Sequence, residues 1–203
     1  MASDPQCPAR RFVVGLGNPG RKYVETRHNV GFRVLEVLRQ RWGLETAAEK
    51  FQSMFWQTRR ERFDEESRNV VLLAPMTYMN ESGRAVRAMM DFYKAQPDEI
   101  LVVLDDFALP LAQLRLRAKG SAGGHNGLAD IIHKCGSDEF PRLRIGIGTP
   151  PGVMDVSDYV LGKFASNELE DIGSAINIAA DAVEDWVFGD MLNVMQKYNR
   201  KSD

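Results

Sequence analysis

The chain has 203 residues, 44% hydrophobic and 27% charged, the balance of an ordinary globular protein with room for one core and little for two. Its net charge of −2 excludes a general pull on polyanions; residues 164–203 carry three Lys/Arg against eight acids, leaving 23 against 20 in residues 1–163, so any phosphate contact must use a local patch of the earlier segment. Cys7 and Cys135 are too few for a disulfide framework and wrongly spaced for a zinc site, and neither a bilayer-spanning run nor the apolar core of a secretory signal is present, so a reduced, cytoplasmic protein is expected.

Arg11–Leu16 is a short apolar run ending beside glycine and predicts a buried strand. Thr26 to Trp42 carries Val34, Leu35, Leu38 and Trp42 at helical spacing, with Gly43 placed to stop the helix. Phe51–Arg60 and Asn69–Ala74 predict two strands, and the charged stretch Glu61–Arg68 between them predicts a solvated hairpin tip. Ser82 is expected to cap a helix bearing Ala85, Val86, Met89, Met90 and Tyr93. Ile100–Leu104 predicts a central strand delivering Asp105 and Asp106 at its end. Leu111–Arg117 alternates, with Leu114 and Leu116 opposite Arg115 and Arg117.

A glycine-rich turn, Gly120–Gly124, leads into a helix over about Gly127–Cys135 that Gly136 stops. In Arg142–Ile147, Arg142 and Arg144 stand opposite Leu143, Ile145 and Ile147. Asn167 and Glu170 have capping-box spacing for a long helix reaching Phe188, and Met191–Tyr198 predicts a last one. Residues 1–10 are expected to be a flexible N-terminus and residues 11–203 a single α/β domain, with a mixed, mostly parallel sheet flanked by helices.

Three polar segments interrupt the apolar pattern where strands end: Gly15–Phe32, Pro75–Gly83 and Leu104–Gly127. In open α/β sheets ligands collect at such ends. Together the segments hold His28 and His125, Asp105 and Asp106, and Asn18, Asn29, Asn80 and Asn126. Asparagine suits neither helix nor strand interiors, but its amide offers uncharged donors and an acceptor to a peptide backbone or a forming oxyanion. Gly15-x-Gly17-x-x-Gly20 has the spacing of a dinucleotide loop. However, Pro19 removes an amide donor and the acid expected about twenty residues on is missing, so an NAD-type oxidoreductase is disfavoured.

A single histidine is more often structural than catalytic, and His133 fits that description. His28 lies at a loop–helix junction between Arg27 and Asn29, a costly place for three polar side chains unless they work. A catalytic histidine needs a partner that fixes its tautomer, and Asp105 is the best candidate; because strand side chains alternate, only one of Asp105 and Asp106 should face the site. Gly-x-Ser-x-Gly is absent, and no HExxH-type spacing supports a metal on His28, Asp105 and His125. A His–Asp pair that activates water is what remains.

The segments GLGNPGRKYVETRHNVGF, PMTYMNESG, DDFALP, GSAGGHNG and FPRLRIGIG occur in this order, and together they resemble the motifs of bacterial-type peptidyl-tRNA hydrolases over about Arg11–Lys163. The resemblance implies metal- and cofactor-free hydrolysis of the peptide–tRNA ester by a monomer. It implies His28 as the base, Asp105 as its partner, and Asn18 as a catalytic residue linked to preference for a blocked amino group. It further implies Asn80 and Asn126 as peptide- and ester-binding groups, Tyr23, Tyr78 and Met79 as pocket residues, and Arg115, Arg117 and Arg144 as tRNA contacts. Ala108 departs from the pattern, since many members carry an acid there. The resemblance also admits relatives that serve RNA splicing instead of hydrolysis, which leaves a non-catalytic, splicing-type RNA-binding protein on the same fold as the alternative.

Overall fold

A computed structural model describes residues 10–62 and 66–199 of the chain. The elements follow one another as β1 (Arg10–Gly15), α1 (Val30–Arg41), β2 (Ala48–Lys50), β3 (Ser53–Glu61), β4 (Ser67–Pro75), α2 (Ser82–Tyr93), β5 (Ile100–Asp106), β6 (Leu114–Arg117), α3 (Asn126–Cys135), β7 (Arg142–Gly146), α4 (Val156–Val160), α5 (Leu169–Phe188) and α6 (Met191–Tyr198). The strands form one sheet in the order β2-β3-β4-β1-β5-β7-β6. Its centre is parallel, β4 and β5 flanking β1 and β7 joining β5, while the β2–β3–β4 edge and the β6–β7 edge are antiparallel.

Strand alternation sends residues to two cores. Val13, Leu72, Leu101, Val103, Leu143 and Ile145 meet helices α1, α5 and α6 on one face. Phe12, Val14, Val71, Leu73, Val102 and Leu104 meet α2 and α3 on the other. Both faces of the central strands are therefore apolar, as a covered parallel sheet requires. The chain leaves β1 toward β4 on one side and returns to β5 on the other, so the carboxyl ends of β1 and β5 frame a topological switch point.

Gly15 and Gly31 let α1 sit close to that point. A Cβ on Gly31 would lie 2.4–2.5 Å from backbone atoms of Leu16 and Val103, and one on Gly15 would lie 2.5 Å from the Gly31 carbonyl. The first glycine of the dinucleotide-like spacing thus serves helix–strand packing.

Several local expectations shift. Thr26 stays outside the first helix, because a 3-10 turn, Arg27–Asn29, precedes α1. Ser82 is not the cap of α2 but its first residue, and its hydroxyl donates to the Met79 carbonyl (2.8 Å). The long helix begins at Leu169, and its leading turn is closed by Glu168 accepting the Ala165 N–H (2.6 Å), not by Asn167 and Glu170. Arg142 stands opposite Leu143 and Ile145 as the alternation has it, and there it is buried and donates to the carbonyls of Phe140, Gly120, Ser121 and Asp138, holding the glycine-rich turn. In the β3–β4 hairpin Glu61 pairs with Ser67 and the Arg62 N–H donates to the Glu66 carbonyl (3.0 Å). Residues 63–65 of its expected tip, and residues 1–9 with Cys7, lie outside the described residues.

Candidate active site

Two loops reach the end of β5 from opposite faces of the sheet, each just before a helix. One is the 3-10 turn Arg27–Asn29 ahead of α1; the other ends at His125, the N-cap of α3. Asp105, the penultimate residue of β5, lies between them and is 2% exposed. His28 Nδ1 is 2.7 Å from Asp105 Oδ1, and His125 Nε2 is 3.0 Å from the same oxygen.

The proton positions follow from one further contact. His125 Nδ1 accepts the Leu128 N–H (3.2 Å), so the ring proton of neutral His125 is on Nε2 and is donated to Asp105. Burial pushes the Asp105 carboxyl up, but the charges and hydrogen bonds of His125 and His28 outweigh it and hold the group well below the usual carboxylate range. An ionised Asp105 accepts, so His28 donates through Nδ1 and its Nε2, with no hydrogen-bond partner among the described residues, keeps a lone pair available at the cleft. This is the orientation a general base requires.

Asp106 faces the other way. It forms an ion pair with Arg144 (2.6 Å), and its other oxygen accepts the Ala108 N–H (2.9 Å). The alternation expected for the two acids is what the strand delivers. The Ala108 backbone N–H helps fix Asp106.

Three asparagines reach the cleft by different routes. Asn29 accepts the Asn18 N–H (2.9 Å) and donates to the Asn18 carbonyl (3.0 Å), which fixes the Asn18 backbone. The Asn18 Oδ1 accepts the Met79 N–H (2.9 Å); that donor settles the amide orientation and leaves Nδ2 without a partner among the described residues. Asn80, in the turn before α2, and Asn126, first residue of α3, are exposed and make no hydrogen bond through their carboxamides among the described residues.

These residues surround a cleft of about 470 Å³ with Tyr23, Tyr78 and Met79 on its wall. Eight of the eleven site residues expected from the sequence therefore converge: His28, Asp105, Asn18, Tyr23, Tyr78, Met79, Asn80 and Asn126. The remaining three do not line it. Arg115 and Arg144 are register partners across β6–β7, Arg117 lies two residues along, and all three share the sheet face opposite Leu143 and Ile145.

The sequence reading gave no role to His125 or to the short helix α4, which with the Leu161 that follows it adds Val156, Ser157 and Val160 to the cleft. A signal for α4 was present, since Asp155 caps it by accepting the Ser157 N–H (2.7 Å). Arg27 joins the two sides of the cleft's surroundings. It donates bidentately to Glu168 (3.1 and 2.7 Å) and to the Ile147 carbonyl (3.1 Å), with its guanidinium 4.5 and 4.6 Å from the Tyr159 and Phe164 ring centres. It thereby ties the segment carrying α4 to the turn carrying His28.

His28, Asp105 and His125 bring their ligand atoms within 4.8 Å of one another and are, among the described residues, the group able to gather around a metal ion. The hydrogen bonds fit such a role poorly. While His125 Nδ1 accepts a backbone N–H, neutral His125 carries its proton on Nε2 and has no lone pair there for a metal.

Comparison with known proteins covers nearly the whole chain. A family model described as peptidyl-tRNA hydrolase matches residues 12–203. A peptidyl-tRNA hydrolase of Rhodopirellula baltica is 48% identical over 192 residues, covering 95% of this chain and 98% of the relative. One of Bacillus thuringiensis is 44% identical, with 93% and 99% covered. A crystal structure of peptidyl-tRNA hydrolase from Acinetobacter baumannii superposes with a TM-score of 0.85 at 38% identity over 97% of each chain.

Proposed function

This chain belongs to the peptidyl-tRNA hydrolase family, and from that membership we propose how its residues carry out the reaction. The activity is hydrolysis of the ester that joins a peptide to tRNA. His28 Nε2 takes a proton from water, and the water oxygen attacks the ester carbonyl. The tetrahedral oxyanion receives N–H donors from the cleft, with Asn18 Nδ2 and the carboxamides of Asn80 and Asn126 as the free groups. Asp105 stabilises the imidazolium through the bond to Nδ1, and the imidazolium returns the proton to the departing ribose oxygen. The products are a peptide carboxylate and a tRNA with a free terminal hydroxyl.

The observation that carries this reading is the 2.7 Å bond between His28 and Asp105 on the cleft floor, beside three asparagines with free amide donors. The arginine face formed by Arg115, Arg117 and Arg144 supplies the phosphate contact, where guanidinium binds bidentately. The steps drawn above use no cofactor, and in keeping with the family motifs we assign a monomer. Among the described residues no helix is long and apolar enough to cross a membrane, and we assign the protein to the cytoplasm.

The test is cleavage of N-acetyl-aminoacyl-tRNA beside unblocked aminoacyl-tRNA, with EDTA and the His28→Ala variant as parallel arms. Release of the N-acetyl amino acid that spares the unblocked substrate, survives EDTA and disappears in the variant is expected. Loss of activity in EDTA would replace the water-and-histidine mechanism with a metal-dependent one. Tight tRNA binding with no cleavage would favour a non-catalytic RNA-binding role.

A further inference from the structure

Asn18 lines the catalytic cleft and also, with Pro19 and Gly20, a second groove of about 410 Å³. The walls of this groove are apolar and come from α1, β3, β4 and the loop after β1: Val24, Phe32, Met54, Trp56 and Met76. Val24 is 59% exposed and Met76 44%, so large apolar side chains stand open to solvent beside the site, which a protein keeps for a reason. Met54 and Met76 also line a third hollow of about 400 Å³, which reaches the Phe51–Gln52 turn between β2 and β3. Both residues of that turn are left-handed, at φ 54° and 52°, an uncommon conformation for side chains of this size. The Gln52 carbonyl accepts the Met76 N–H (2.8 Å), holding the turn against the groove.

We propose that the peptide moiety of the substrate, beyond the residue esterified to tRNA, lies in this groove. The inference rests on the hydrolase reading above and adds to it the direction in which the peptide leaves the cleft. A peptidyl-tRNA has two arms that diverge at the ester. The polyanionic arm belongs with Arg115, Arg117 and Arg144 at the β7–β6 edge of the sheet. The groove opens on the β4–β3 side, and its charged lining residues, Arg33 and Glu36, balance each other, so it suits an uncharged chain and not a phosphate backbone. Its composition also fits a ligand of no fixed sequence. Methionine thioethers and aromatic faces repack against many side chains without demanding one hydrogen-bond pattern.

The experiment compares two substrates sharing the same esterified amino acid: N-acetyl-aminoacyl-tRNA and an N-acetyl-pentapeptidyl-tRNA of apolar sequence. Val24→Glu and Met76→Glu alter exposed positions, and a matching thermal midpoint checks that each variant folds. Replacing an apolar contact by a charge should cut kcat/KM for the pentapeptidyl substrate about tenfold, mainly through KM, and leave cleavage of the short substrate at the wild-type rate. Equal losses on both substrates would hand the groove to the tRNA terminus and overturn the proposal, as would no loss on either. Failure of the wild-type protein to cleave either substrate would instead overturn the hydrolase reading on which the proposal rests.

Discussion

The floor of the cleft and the arginine face at the β6–β7 edge serve the same substrate by opposite means. On the floor the side chains are held by internal partners while their working atoms stay open: Asp105 receives two imidazoles, Asn18 is held by Asn29 and Met79, and His125 doubles as a helix cap. At the edge, Arg115 and Arg117 have no partner among the described residues, and only Arg144 is tied down, by Asp106. Groups that act on developing charge must already be oriented when the reaction starts. Groups that meet phosphate must arrive unpaired, because each internal partner lost on binding subtracts from the gain. Changes to the floor should therefore act on kcat, and changes to the edge on KM and its salt dependence.

The largest break in this contrast is His28→Ala, which should lower kcat by roughly 10²–10⁴ with little change in KM; single-turnover hydrolysis reads the two apart. Asp105→Asn should follow at about 10²–10³, since a neutral amide cannot stabilise the imidazolium and does not enforce the tautomer. The same variant makes a pH prediction. Asp105 titrates below its unfolded value, so its contribution to stability is full above the unfolded carboxylate range near about 4 and fades as pH falls through the lower folded value. Urea midpoints of wild type and Asp105→Asn should differ most at neutral pH and converge in acid.

At the edge, Arg115→Gln and Arg117→Gln should each raise KM several-fold at moderate salt, leave kcat alone, and reduce the slope of log affinity against log salt by about 1. Titrating substrate binding across salt concentrations measures this directly. Arg144→Gln sharpens the comparison because it belongs to both regimes. It should show the same salt effect and also lose about 1–3 kcal/mol of stability, read as a lower thermal midpoint, since Asp106 stays buried after losing its partner.

Much of this was legible in the sequence, for identifiable physical reasons. Alternation in Ile100–Asp106 separates Asp105 from Asp106, and Gly136 stops α3 in the left-handed conformation (φ 70°) that glycine adopts freely. The site asparagines stood out because neither strands nor helix interiors want them. What stayed hidden depends on contacts distant in sequence. Arg142 and Arg144 have the same alternating pattern, yet one holds four carbonyls inside the fold and the other pairs with an acid near the surface. His125 looks like any polar residue after a glycine-rich turn until α3 and β5 bring its two nitrogens to a backbone amide and a carboxylate. Arg27 gains its partner from Glu168, 141 residues away, a pairing that no local period announces.

The central claim is that His28 and Asp105 act as one device, and a double-mutant cycle tests it most directly. Single-turnover rates on N-acetyl-aminoacyl-tRNA would be measured for wild type, His28→Ala, Asp105→Asn and the double variant. If Asp105 works only through His28, the double variant should be no slower than His28→Ala alone. Two losses that multiply would contradict the account and give Asp105 a role in the reaction independent of the histidine.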